Sequence, residues 1–139
     1  MREAGLWAKR NRRRVLTTRQ DPTHSMAPNT LNREFTAPEA NKKWVGDMTY
    51  IPTATSDGSS LAVILDLYSR IVVGWSMSAS CDEELAGHAL DRALARRRPE
   101  AGLLHHSDRG SQYTSRAYRL MLAQSGIVVS MSRTGKGFR

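Results

Sequence analysis

The chain has 139 residues, 40% of them hydrophobic and 24% charged, with one Cys and a formal net charge of +8. That length favours one domain with a real core, and the longest apolar runs, L-A-V-I-L and I-V-V-G-W, fall far short of the ~20 residues a membrane helix needs. A lone Cys81 excludes an internal disulfide and a cysteine-rich zinc site, and with no secretory apolar core behind the basic N-terminus the expected compartment is the cytoplasm.

In chain order, positive charge comes first. Residues 1–43 hold 10 Lys/Arg against 4 Asp/Glu, whereas residues 44–139 hold 11 against 9. The run A-K-R-N-R-R-R at 8–14 concentrates it in Lys9, Arg10, Arg12, Arg13 and Arg14. Such a run attracts phosphate without reading sequence, because each neutralised phosphate releases counterions. The plainer reading is a solvated basic tail. Residues 1–16 are expected to be a short basic helical region, the end of something upstream. Residues 17–43 are polar, carry Pro22, Pro28 and Pro38, and show no periodicity, so they read as an extended linker. Residues 44–139 form the folded part.

The first segment of that part, W-V-G-D-M-T-Y-I-P-T at 44–53, is rich in aromatic and β-branched residues and predicts a strand. T-S-D-G-S-S at 55–60 is a turn containing the hairpin dipeptide Asp57-Gly58. Two apolar strands follow, at 61–68 and 71–77. The period then changes: Leu85, Ala86, Ala89, Leu90, Ala93 and Leu94 recur at helical spacing over 82–98, with acids at the front and Arg96, Arg97 and Arg98 before Pro99. A short strand at 102–107, a helix at 114–124 ended by Gly126, and a strand at 127–131 complete the order β-β-β-α-β-α-β. That order implies an α/β (mixed α+β) fold, a five-stranded mixed sheet flanked by helices.

Two carboxylates stand out. Asp47 lies inside the first strand, where Asp is disfavoured. Asp108 lies just past the fourth, in H-H-S-D-R-G-S-Q-Y, where ligand crevices open in such sheets. If those strands are neighbours, the two converge. Carboxylates ~4 Å apart repel by ~1 kcal/mol in water and ~4 at an effective dielectric of 20, so they share a proton or a cation. Mg²⁺ is the expected ion, with Mn²⁺ the alternative, and paired metals on carboxylates serve phosphodiester chemistry. The bland alternatives are a turn cap for Asp108 and a water-facing edge-strand residue for Asp47. Asp66 reads better as a turn cap than as a ligand. Adjacent His105 and His106 point to opposite faces, so one of them is expected near Asp108.

Three segments in order, W-V-G-D-M-T-Y-I-P-T, L-A-V-I-L-D-L-Y-S-R-I-V-V-G-W and L-L-H-H-S-D-R-G-S-Q-Y-T-S, resemble the integrase core of bacterial insertion-sequence transposases of the OrfB type. The resemblance implies a ribonuclease H-like fold, Mg²⁺-dependent strand cleavage and strand transfer, and action on transposon-end and target DNA. It also implies work as a homo-oligomer or in association with intact transposase; that no membrane is involved follows from the short apolar runs instead. It assigns Asp47 and Asp108 as catalytic, metal-binding carboxylates. Arg109 joins Lys9, Arg10, Arg12, Arg13 and Arg14 as an expected DNA contact. The family's third acid, a Glu on a later helix, is expected near position 144, beyond Arg139, and no acidic residue follows Asp108. The reading is therefore a partial catalytic core at 44–139 with its C-terminal helix missing and its cleavage weakened by orders of magnitude. The alternatives are a non-catalytic DNA-binding remnant that inhibits intact transposase, and a nuclease for RNA–DNA hybrids.

Overall fold

The computed structural model describes residues 26–54 and 58–133. The basic run at 8–14, Asp57 of the hairpin dipeptide and the tail at 134–139 lie outside the described residues. The elements are β1 (Lys43–Ile51), β2 (Ser59–Asp66), β3 (Val72–Ser78), α1 (Glu83–Arg97), β4 (Leu104–Ser107), α2 (Ser111–Thr114), α3 (Arg116–Gln124) and β5 (Val128–Met131). They form one mixed sheet in the order β3-β2-β1-β4-β5. β1, β2 and β3 are antiparallel; β4 runs parallel to β1, and β5 parallel to β4. β1 is thus central, which overturns the edge-strand alternative for Asp47.

The predicted order is observed with one difference. The helix expected at 114–124 starts at Arg116, after a separate single turn at Ser111–Thr114, because Ser115 adopts extended geometry (φ −58, ψ 149) and its side chain accepts from the Tyr118 amide. Serine serves better as an N-cap than inside a helix, so the chain restarts there.

Period-two alternation sorts the sheet's faces. In β1, Trp44, Gly46 and Met48 are buried, while Asp47 and Thr49 are exposed. Trp44, Met48, Ala62, Ile64 and Val73 pack with Leu85, Ala89 and Leu90 of α1, Tyr118 and Leu122 of α3, and Met131 of β5 in one cluster. The described helices therefore share one face of the sheet. The other face presents the row Asp47, Val63 and Trp75 across β1, β2 and β3. Trp75 is 50% exposed there.

α1 is held by local chemistry. Asp82 caps it by accepting from the Leu85 amide at 3.0 Å, Glu83 and Glu84 occupy the first turn, and Arg98 ends it in the left-handed region (φ 46). The helix lies very close to β3 because Gly74 has no side chain. A Cβ on Gly74 would sit 2.2 Å from the Ala89 carbonyl oxygen and 2.7 Å from the Ala93 Cβ. Gly74→Ala is expected to cost about 2 kcal/mol by forcing α1 off the sheet. Urea unfolding measures this, and an unchanged midpoint would refute the close approach.

Residues 28–31, ahead of β1, are tied to the sheet. The Met131 amide donates to the Pro28 carbonyl at 3.2 Å, along the outer edge of β5. The Ser130 Oγ accepts from the Thr30 and Leu31 amides at 2.9 and 3.0 Å, and Leu31 is buried. At the opposite edge of the sheet, β3 is guarded by Arg92. Its guanidinium donates to the Trp75 carbonyl at 2.8 Å and lies 5.7 Å from the indole centroid.

Candidate active site

The β1–β4 ladder pairs Lys43 with Leu104, Trp44 with His105 and Val45 with His106. β4 ends at Ser107, so Asp108 stands one residue past the strand; Asp47 and Asp108 each lie two residues beyond the last paired residues, Val45 and His106. Asp47 feels the result. Partial burial holds its carboxyl above the ordinary carboxylate range; the Met48 amide, donating to Oδ1 at 2.9 Å, works against this, and the negative field of Asp108 adds to the rise. Asp47 remains solvent-exposed, so a ligand can reach it. Asp108 also shapes its own turn, since its Oδ1 accepts from the Gly110 amide at 2.8 Å. The turn-cap role and proximity to Asp47 therefore coexist.

Beneath the pair lies a rigid aromatic floor. Tyr118 Oη and His105 Nε2 are 2.8 Å apart, and Tyr113 meets Tyr118 edge-on at a centroid distance of 5.3 Å. Gly46, the residue before Asp47, makes room: a Cβ there would be 3.1 Å from the His105 ring. Burial pushes the His105 pKa down to about 4, so the ring is neutral at physiological pH. Burial also pushes the Tyr113 hydroxyl well up, with the neighbouring Tyr118, Asp108 and Asp47 acting in the same direction. Among the described residues the buried His105 Nδ1 and Trp44 Nε1 meet no hydrogen-bond partner.

His106 faces the other way, as alternation requires. Its Nδ1 lies 2.8 Å from Ser130 Oγ, and burial lowers its pKa against the field of Asp108. It is the histidine expected beside Asp108. Arg109 bends toward β5, its Nε donating to the Ser132 carbonyl at 2.7 Å. Asp66 is the turn cap its context suggests: it is fully buried and accepts from the Asn41 amide, the Ser69 amide and the Ser69 hydroxyl. It pairs with Trp44, whereas Asp47 pairs with Val63. Three residues of strand, about 10 Å, and opposite faces keep it from the Asp47–Asp108 pair.

Among the described residues no three His, Cys, Asp or Glu side chains gather as a metal-binding group. The donor set at the pair is two carboxylates, one of them accessible and within the field of the other. Such a set suits a hard divalent cation that keeps several waters. Sequence reasoning missed the floor, the His106–Ser130 contact and the anchoring of residues 28–31. Gly46 was a usable signal, since glycine inside a strand often marks a close approach.

A five-stranded mixed sheet in this order, with helices packed on it, defines the class of ribonuclease H-like folds. Two solved structures share the fold. A chain of the simian T-cell lymphotropic virus intasome, solved in complex with PP2A regulatory subunit B56 gamma, aligns over 83% of this chain and 39% of its own, with 20% identity and a TM-score of 0.62. The HTLV-2 integrase catalytic core domain, solved in complex with magnesium, aligns over 66% of this chain and 61% of its own, with 21% identity and a TM-score of 0.59.

The chain belongs to the integrase core domain family, which it matches over residues 37–137. Its curated relatives come from insertion sequences. It is 44% identical over 135 residues to the insertion element IS600 uncharacterized 31 kDa protein of Shigella sonnei, covering 96% of this chain and 49% of that protein. It is 42% identical over 135 residues to the transposase for insertion sequence element IS904 of Lactococcus lactis subsp. lactis (strain IL1403), covering 96% and 53%. It is 39% identical over 136 residues to the transposase InsF for insertion sequence IS3A of Escherichia coli (strain K12), covering 97% and 46%. The chain thus spans about half the length of these relatives. Among the described residues no helix is long and apolar enough to cross a membrane.

Proposed function

We propose that the chain carries the catalytic chemistry of DNA transposition: divalent-metal-dependent cleavage of a DNA strand and its transfer to a target. The observation that carries this reading is the parallel β1–β4 ladder, whose last pair, Val45 and His106, stands two residues short of Asp47 and Asp108 and brings the two carboxylates within reach of each other's field. Relatives named as insertion-sequence transposases support the substrate class. Asp47 and Asp108 are the residues that would hold Mg²⁺, or Mn²⁺ in its place. When bound, the cation supplies Lewis acidity to a phosphodiester oxygen and offsets charge on the departing one. The protein's own part is to fix the two carboxylates on a stiff floor of His105, Tyr113 and Tyr118. Arg109, and Lys9, Arg10, Arg12, Arg13 and Arg14 upstream, contribute positive charge toward DNA phosphates. The chain works as a homo-oligomer or beside an intact transposase, in the cytoplasm.

The test is Mg²⁺-dependent nicking of duplex DNA by the 139-residue chain, with Asp47→Asn as control. Cutting lost in the variant supports the reading, and cutting that survives in it removes these carboxylates from the mechanism. The alternative reading is a non-catalytic DNA-binding remnant that inhibits intact transposase. Duplex binding with no nicking at any Mg²⁺ or Mn²⁺ concentration, together with inhibition of an active relative, selects it.

A further inference from the structure

The near-even charge of residues 44–139 conceals a division. Residues 44–108 hold 9 Asp/Glu and 5 Lys/Arg, whereas residues 109–139 hold 6 Lys/Arg and no acid. The strand order turns this into a spatial division. Past Asp108 the chain builds α2, α3 and β5, all beyond β4 as seen from β1. Arg109, Arg116, Arg119 and Arg133 therefore lie on the β5 side of the Asp47–Asp108 pair. β3 and β1 both run antiparallel to β2, so β3 ends at the same edge of the sheet as β1. α1 starts from that edge with exposed Asp82, Glu83 and Glu84, and runs about 22 Å away to Arg96 and Arg97. The site edge thus has an acidic β3–α1 corner and a basic β5–α3 corner.

The basic corner contains a groove of about 510 Å³. Arg116 and Arg119 rise from one face of α3, and Leu120, Ile127 and Val129 contribute an apolar lining. Both arginines are exposed, and neither makes an ion pair among the described residues.

We propose that this groove seats the backbone of the DNA duplex flanking the reacting strand. Phosphates meet Arg116 and Arg119, and the sugar faces between them lie on the apolar lining. The duplex runs from α3 and β5 around the edge where β4 ends to the Asp47–Asp108 pair on the opposite face, and stays clear of the acidic α1 corner, which repels it. The inference rests on the DNA reading above and adds the side from which DNA arrives.

The test is fluorescence anisotropy of a labelled 30-bp duplex with the full 139-residue chain between 50 and 200 mM KCl. Each lost phosphate contact lowers the slope of log K against log salt by ~0.9. Arg116→Ala/Arg119→Ala is expected to lower it by about 2, so that the affinity gained on going from 200 to 50 mM salt shrinks ~10-fold. Arg116→Lys/Arg119→Lys should keep the parental slope, as should Arg96→Ala/Arg97→Ala at the far edge. An unchanged slope in the Arg116/Arg119 alanine pair overturns the inference and leaves the groove to an acidic protein segment. An equal loss in the far-edge pair overturns it too, by showing only diffuse attraction. Nicking that fails while the slope difference stands overturns the cleavage reading alone, and a chain that binds no duplex overturns both.

Discussion

Asp47→Asn is expected to reduce Mg²⁺-dependent nicking by at least ~100-fold while leaving duplex binding and its salt dependence as in the parent. A cation held by carboxylates at a phosphodiester contributes several kcal/mol to the barrier, and each 1.36 kcal/mol is tenfold in rate. The amide preserves shape and removes the negative charge that retains the ion. The same change should slightly stabilise the metal-free chain at neutral pH. The folded-state pKa of Asp47 is raised, so its ionised form is disfavoured by folding, through burial and the facing Asp108. Thermal melts with and without Mg²⁺ check this: the ion should raise the parent's Tm and leave that of Asp47→Asn unchanged. A variant that binds Mg²⁺ as the parent does would remove Asp47 from the metal site.

Acid is expected to destabilise the fold through His105. Its imidazole titrates near 6.5 when unfolded and at about 4 when folded, because burial disfavours the cation. A base with a depressed folded pKa loses nothing while neutral in both states, so stability is complete above pH ~6.5. It falls as pH drops toward ~4, where the unfolded chain takes a proton that the folded one refuses, and levels off below. The loss attributable to this group reaches about 3 kcal/mol. Urea unfolding from pH 7.5 to 4.5 measures it, with His105→Gln as the comparison whose profile should be flatter. Equal slopes in both proteins would mean that His105 accepts its proton without leaving the core.

The elements most legible in the sequence are those whose partners lie nearby along the chain. α1 carries its cap, its charged ends and its apolar face within 82–98, and it forms over Glu83–Arg97. Asp47 and Asp108 were legible as oddities, one in a strand and the other at a strand's end. Their pairing depended on β1 adjoining β4, a contact across 61 positions that no local pattern encodes. α3 was misjudged at its start because helical periodicity runs through Ser115, while the serine's own hydrogen bond decides the break. The aromatic floor was illegible for the same reason as the register: His105, Tyr113 and Tyr118 meet only when α2 and α3 fold back over β4. The charge division was present in the composition, but averaging over residues 44–139 cancelled it.

The Ser130 hydroxyl settles one further matter. A hydroxyl has two lone pairs and one hydrogen. The Thr30 and Leu31 amides occupy both lone pairs, so the hydrogen belongs to the bond with His106 Nδ1. Nδ1 is then an acceptor, and the neutral ring of His106 is the Nε2–H tautomer. Nitrogen chemical shifts should report that assignment directly, and Ser130→Ala should release it together with the Thr30–Leu31 backbone.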